Sequence, residues 1–261
     1  MTRAYVITGA AQGIGRALTE HLLTHPHTTV TILDRHPDTL TWTHHHPAHT
    51  RIHTITGDAA DPATAQRAAD LAATTGTLTG WVNNAAVFRD ASPHTTPAAD
   101  LINLIGANLN PTVTGATTAI RHYLTHHTPG AIVNISSHQA SRPVPGCLPY
   151  ATAKAAIEGL TRALAVEYGP HGIRVNTVAL GSIATERYTR LLDHHPDDAP
   201  HIRDQMRRLH PLGRIGTTHE AATAIAHLLS DDAAYITGAT IPVDGGRSVL
   251  GHDPETPAHP Q

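Results

Sequence analysis

Short runs of β-branched and apolar residues alternate with longer helical stretches along most of this chain, and that alternation narrows the folds open to it more than any other feature. Tyr5-Val6-Ile7, Val30-Thr31-Ile32-Leu33, Arg51 to Thr56, Gly80 to Asn83, Ala131 to Ser136 and Arg174 to Val178 read as strands. Gly13 to Leu23, Ala63 to Thr74 and Ala151 to Tyr168 read as helices between them. Strands joined through helical crossovers run parallel and need cover on both faces, which predicts an α/β doubly wound sheet with helices on either side. Ligands of such sheets sit beyond the carboxyl ends of the strands, where strand order reverses. The pattern runs to Gly246, so a single domain over residues 1–246 is expected.

Two segments break the alternation. Ser182 to Gly216 is rich in arginine and histidine and interrupted by proline, too long for a plain connector, and is expected to form a helical lid over the site. The stretch 247–261, with Pro254, Pro257 and Pro260, has little to bury and reads as a mobile tail. At 40% apolar and 15% charged residues the chain can bury a sizeable core, and a net charge near zero points away from nucleic acid. The lone Cys147 excludes an intramolecular disulfide. No run approaches the ~20 apolar residues of a membrane span, and a cytoplasmic location away from membranes is the expectation.

Thr8-Gly9-Ala10-Ala11-Gln12-Gly13-Ile14-Gly15 follows the first strand and opens the first helix. Glycines there let the backbone turn sharply and approach a pyrophosphate, whose charge is met by free amides at a helix N-terminus. Asp34 closes the second strand, nineteen residues after Gly15, close to the offset of an acid that binds adenosine ribose hydroxyls. A carboxylate there favours NAD over NADP, although Arg35 next in line could grip a 2′-phosphate, and Asp34 could instead cap the following helix. Asp58-Ala59, after the third strand, stands where an adenine edge would lie; Asp58 is equally an ordinary turn residue.

Lys154 is the only lysine of the chain, four positions after Tyr150. Residues at i and i+4 share a helix face. Lowering a phenol from its usual pKa towards neutrality takes about 4 kcal/mol, and one ammonium at ~4 Å supplies about that at an effective dielectric near 20. On this reading Tyr150 exchanges a proton with an alcohol or carbonyl near neutral pH. Alone, a Tyr-x-x-x-Lys spacing is equally a surface pattern.

The strand Ile132-Val133-Asn134-Ile135-Ser136-Ser137 ends thirteen residues before Tyr150. It is joined by Asn83-Asn84-Ala85-Ala86, Asn108-Leu109, the segment Asn176 to Thr185, Pro211-Leu212-Gly213-Arg214, and Tyr235 to Gly238 leading into Val243-Asp244-Gly245-Gly246. In that order and spacing, over residues 3–246, the chain resembles the classical short-chain dehydrogenase/reductase family. The resemblance implies a Rossmann fold and direct hydride transfer between a nicotinamide cofactor, NAD or NADP, and a small alcohol or ketone, with no metal. It implies Tyr150 as general acid/base, Lys154 lowering its pKa and holding the nicotinamide ribose, Ser137 polarising the substrate oxygen, and Asn108 supporting a water-linked proton relay. The cofactor would lie along Gly9, Gln12, Gly13, Ile14, Gly15, Asp34, Arg35, Asp58, Ala59, Asn84, Ala85, Ile183 and Thr185, besides Tyr150 and Lys154. A homotetramer, or failing that a dimer, is implied, pairing through the helix Ala151 to Tyr168. Two positions depart from the family pattern: Ala86 replaces the glycine of Asn-Ala-Gly, and Leu180 replaces the proline of Pro-Gly.

Other readings are set beside these. The histidines 44–46, 49 and 53 lack carboxylate or cysteine partners at fitting spacing, so a solvated surface is expected rather than a metal site. Arg187, Arg190, Arg203, Arg207 and Arg208 in the lid suit a charged helix face better than an anion site. An NADPH-dependent ketoreductase of acyl or polyketide-like carbonyls, and a dinucleotide-sensing protein without catalysis, are the alternatives to an NAD-preferring dehydrogenase.

Overall fold

The structure, a computed structural model, describes residues 1–251. From the amino end, β1 (Arg3–Thr8) leads into α1 (Gly13–Leu22), β2 (Thr28–Asp34), the short α2 (Trp42–His45) and β3 (Ile52–Thr56). Next come α3 (Pro62–Thr75), β4 (Thr77–Asn83), the long α4 (Ala98–His126), β5 (Gly130–Ser137), α5 (Leu148–Tyr168) and β6 (Ile173–Leu180). The last part holds β7 (Ile183–Ala184), α6 (Glu186–His194), α7 (Ala199–Arg208), β8 (Gly216–Thr217), α8 (Thr218–Leu229) and β9 (Thr240–Val243). Seven strands form one parallel sheet in the order β3-β2-β1-β4-β5-β6-β9. This is the expected doubly wound sheet. The order reverses between β1 and β4, so their carboxyl ends open a crevice.

Alternation along β1 shows how both faces are covered. Tyr5 and Ile7 join a core with Leu18 and Leu22 of α1 and Ala221, Ile225 and Leu228 of α8. Ala4 and Val6 point the other way, into a core with Ala65, Ala68 and Ala72 of α3 and Ile120 and Tyr123 of α4. Among the described residues no helix is long and apolar enough to cross a membrane.

A buried polar chain crosses this second face. Trp81 Nε1 donates to Asn83 Oδ1 at 2.9 Å, Asn83 Nδ2 to Asn134 Oδ1 at 2.8 Å, and Asn134 Nδ2 to Thr161 Oγ1 at 2.8 Å. The Thr161 and Thr177 hydroxyls then pair at 2.7 Å. Strands β4, β5 and β6 and helix α5 are thereby joined through side chains as well as through the ladder. Helix α4 presses on the chain at Gly115, where an added Cβ would lie 2.1 Å from Asn83 Oδ1.

Several boundaries differ from the sequence expectation. Helix α5 begins at Leu148 rather than Ala151, because Pro149 fits a first turn that needs no N–H from it, and Tyr150 therefore stands in that first turn. The segment expected as a lid folds as β7, α6 and α7, and the two-residue parallel pairing of β7 with β8 clasps its ends together. The tail does not start at Arg247. Arg247 is half-buried and donates to Ser182 Oγ at 2.5 Å, while the Ser248 amide donates to Asp244 at 2.8 Å, so these contacts hold the chain to the body. The remainder of the expected tail, from residue 252 on, lies outside the described residues.

Asn134→Ala removes the middle of the polar chain, taking the acceptor from the Asn83 amide and leaving the Thr161 hydroxyl with Thr177 alone. We expect a loss of about 3 kcal/mol, measured as a lower urea midpoint with an unchanged slope.

Candidate active site

A cavity of about 900 Å³ runs from the ends of β1 and β2 to the ends of β5 and β6, under α6. At one end Gly9 (φ +67°) turns the chain out of β1, and a Cβ on it would come within 2.8 Å of the Ala85 backbone. Gly13 (φ +59°) opens α1, whose N-cap residue Gln12 makes no side-chain capping bond. First-turn amides are thus turned to the cavity without a side-chain cap. The Gly13 amide donates instead to a carboxylate from the lid, Glu186 Oε1, at 3.3 Å. An anion already favours this helix end. Gly15 faces elsewhere: its missing side chain lets α1 pack on Ala10, whose Cα would be 2.7 Å from an added Cβ.

Asp34 lies at the carboxyl end of β2, accepting from the Ala11 amide at 3.0 Å and the His36 amide at 3.2 Å. Arg35 and Asp58 pair at 2.6 Å, and Asp58 also accepts from the Ala60 amide at 2.9 Å. Burial works to raise the Asp58 pKa, but the Arg35 and Ala60 bonds prevail and hold it below the usual carboxylate range. Asn84 donates to the carbonyls of Thr8 at 3.1 Å and Gly9 at 2.7 Å, and the Thr8 hydroxyl accepts from the Asn84 and Ala85 amides. These bonds join the ends of β1 and β4 at the point of strand reversal. Gln12, Ile14, Ala59, Ala85, Ile183 and Thr185 line the same cavity.

Ser137, Tyr150 and Lys154 converge at the other end. Tyr150 is 8% exposed and Lys154 2%. Lys154 Nζ donates to the Ile135 carbonyl at 2.7 Å and lies 5.3 Å from the centre of the Tyr150 ring. The expected lowering of the phenol towards neutrality is not produced by these side chains. Burial pushes Tyr150 up to about 12, against the Ser137 hydroxyl and the Arg187 charge, which pull the other way. Burial likewise pushes Lys154 down to about 8. Burial takes both charged forms out of water, which disfavours each of them.

Asn108 is brought near but not in. Its Oδ1 accepts from the Val87 amide at 2.9 Å and its Nδ2 donates to the Leu104 carbonyl at 3.3 Å, so the side chain pins the loop after β4. Its neighbours Ala107 and Pro111 line the cavity. Pro111, inside α4, has no N–H for the Ala107 carbonyl and leaves that acceptor without its helical donor.

Of the residues that line the cavity, the sequence reading passed over Phe88, Glu186 and Arg247. The Phe88 ring lies 4.8 Å from the Tyr150 ring, and the Arg187 guanidinium stacks 4.1 Å above Phe88. Glu186 and Arg247 also line the space. His138 is buried, with Nδ1 3.3 Å from the Leu180 carbonyl and Nε2 without a partner among the described residues. Of the lid arginines, Arg187 and Arg190 line the cavity, whereas Arg207 and Arg208 pair with Asp204 outside it.

The chain has known relatives. A family profile described as enoyl-(acyl carrier protein) reductase matches residues 9–248. A 2-(R)-hydroxypropyl-CoM dehydrogenase of Xanthobacter autotrophicus is 32% identical over 259 residues, covering 96% of this chain and 100% of that protein. From the same organism, a 2-(S)-hydroxypropyl-CoM dehydrogenase is 36% identical over 178 residues, covering 68% of this chain and 69% of that protein. Among solved structures, ElxO with NADP bound superposes with a TM-score of 0.86 at 29% identity, covering 96% of this chain and 100% of that one.

Because Lys154 is the only lysine, isotope-labelled lysine yields one side-chain signal. In the dinucleotide-free protein it should titrate with a midpoint near 8; a midpoint at the ordinary lysine value would contradict the burial described above.

Proposed function

The chain belongs to the classical short-chain dehydrogenase/reductase family and is an oxidoreductase interconverting an alcohol and a ketone with a nicotinamide dinucleotide; within that family we propose an NAD-preferring enzyme that works through Tyr150, Lys154 and Ser137. The observation carrying this reading is the single cavity with a glycine turn and Asp34 at one end and Ser137, Tyr150 and Lys154 at the other. Its residues fit a dinucleotide. Gly9 and Gly13, both at positive φ, turn the chain so that the α1 amides face the cavity and suit a pyrophosphate, and Asn84, Ile183 and Thr185 line the path between the two ends. When bound, the dinucleotide supplies the donor or acceptor of hydride.

The protein's part is to hold the substrate oxygen and move one proton. The Ser137 hydroxyl faces the Tyr150 phenol and orients the substrate oxygen beside it. With its pKa pushed up to about 12, Tyr150 is protonated at neutral pH and ready to give its proton to a carbonyl oxygen. In the oxidative direction the phenol must first lose that proton. Lys154, mostly an ammonium below pH 8, supports that loss electrostatically. A water path towards Lys154 would draw on the Ala107 carbonyl of α4, which lines the cavity and lacks the helical donor that Pro111 cannot supply, with Asn108 holding the adjoining loop.

NAD is favoured by the pairing at the far end. Arg35, the residue that would receive a 2′-phosphate, is held by Asp58, and the Asp34 carboxylate stands where that phosphate would sit. The NADPH-dependent reading draws on Arg35 lining the cavity and on the NADP bound to ElxO. For assembly we propose a homotetramer with dihedral symmetry. The outer faces of α4 and α5 leave Ile102, Val113 and Val166 exposed, an apolar surface suited to pairing across a two-fold axis. The lone cysteine suits a reducing cytoplasm.

Two outcomes test the reading. Fluorescence titration should give tighter binding of NADH than of NADPH; the reverse would mean that Arg35 prevails over Asp34. Tyr150→Phe should bind dinucleotide as the wild type does while turnover falls by about 10²-fold or more, and equal turnover by the two proteins would overturn the assigned role.

A further inference from the structure

The cavity's charges divide by whether the protein already answers them. Asp34 accepts from the Ala11 and His36 amides, Asp58 is paired with Arg35, Glu186 accepts from the Gly13 amide, and Asp90 faces the Cys147 thiol at 3.6 Å. Arg187, Arg190 and Arg247, at the reacting end, have no carboxylate within ion-pair distance among the described residues. Arg187 and Arg190 are exposed on the lid, where water screens them.

Arg247 differs. It comes from the turn after β9, is half-buried, and makes one side-chain hydrogen bond, from Nη1 to Ser182 Oγ. Asp244, the nearby acid, is occupied by the Gly246 and Ser248 amides at 2.9 and 2.8 Å. A guanidinium has five donors, and burying them without acceptors is unfavourable. The charge also sits on a defined side of the site: it acts on His138, whose ring is 3.5 Å from the Ser137 hydroxyl. His138 does not share the cationic role. Burial first, then Arg247, pushes it down to about 4, so it is neutral at working pH and Arg247 is the permanent charge on that wall. Leu191 and Met206 of the lid line the same end and suit a short carbon chain.

Resting on the alcohol/ketone reading above, we propose that the substrate carries an oxyanion (carboxylate, sulfonate or phosphate) away from its reacting carbon, and that Arg247 receives it. The planar fork of an arginine matches such groups with two parallel bonds. Anionic recognition thereby sets which ketones or alcohols the site accepts, separately from the groups that move the proton.

The test uses the full chain with saturating dinucleotide and four methyl ketones of matched length, ending in carboxylate, sulfonate, phosphate or a methyl ester. Wild type should prefer at least one anion to the ester by about tenfold or more in kcat/KM. Arg247→Gln should bring that ratio to parity with an unchanged dinucleotide Kd. Arg247→Lys should keep part of the preference, and Arg203→Gln, outside the cavity, all of it. Calorimetric binding to the dinucleotide complex reads the same ratio if turnover is slow. An ester bound or converted as well as every anion, or a preference that survives Arg247→Gln, overturns the proposal. Failure to bind dinucleotide, or full turnover by Tyr150→Phe, falls on the underlying reading instead.

Discussion

The seating of α5 on β5 is the constraint on which the reacting end depends. Three consecutive strand residues meet three helix residues through unlike polar contacts. Asn134 meets the Thr161 hydroxyl, the Ile135 carbonyl meets Lys154 Nζ, and the Ser136 hydroxyl meets the Glu158 carboxylate at 2.9 Å. Residues 154, 158 and 161 form one stripe of the helix, and Tyr150 continues it one turn towards the N-terminus. Hydrophobic packing tolerates a slide or small rotation of a helix, but chemically distinct partners do not, since each displaced group would be left buried and unpaired. The tyrosine is thus placed at the end of β5, beside Ser137, by contacts made further along the helix.

Burial at that end has two opposite effects. It makes both charged forms expensive, so the phenol holds its proton and the ammonium holds its own less firmly than in water. It also strengthens whatever charge enters, because little solvent remains to screen it. Helix α6 takes part in this balance through Arg187, stacked on Phe88, which in turn stacks on Tyr150. Arg187 of α6 thus bears on the electrostatics of the phenol, pulling its pKa down against burial.

Much of this was legible in the sequence, for reasons tied to particular residues. The glycine turn, Asp34, Ser137, Tyr150 and Lys154 sit at fixed offsets from strand ends, so local spacing suffices to place them. Helix α4 was not legible. Its Asn, Thr, Gly and Pro residues at 106–118 oppose helix formation in isolation, and it forms because Thr112, Ala116, Ala119 and Ile120 are buried. Arg247 could not be found by spacing either, since only the return of the chain after β9 brings it beside Ser182. The burial of Tyr150 was not legible either, because a pairwise charge argument omits desolvation, which no residue spacing reveals. Asn108 was located but not oriented: its amide is taken by the backbone of Val87 and Leu104.

The depth of Lys154 has a consequence outside catalysis. With the chain's one ε-ammonium 2% exposed, the folded surface offers no lysine side chain for acetylation or ubiquitin transfer. Its cations are guanidinium groups, fixed at every physiological pH, and imidazoles, of which the chain has 23. Modification directed at lysine side chains therefore has no purchase on the folded surface of this protein.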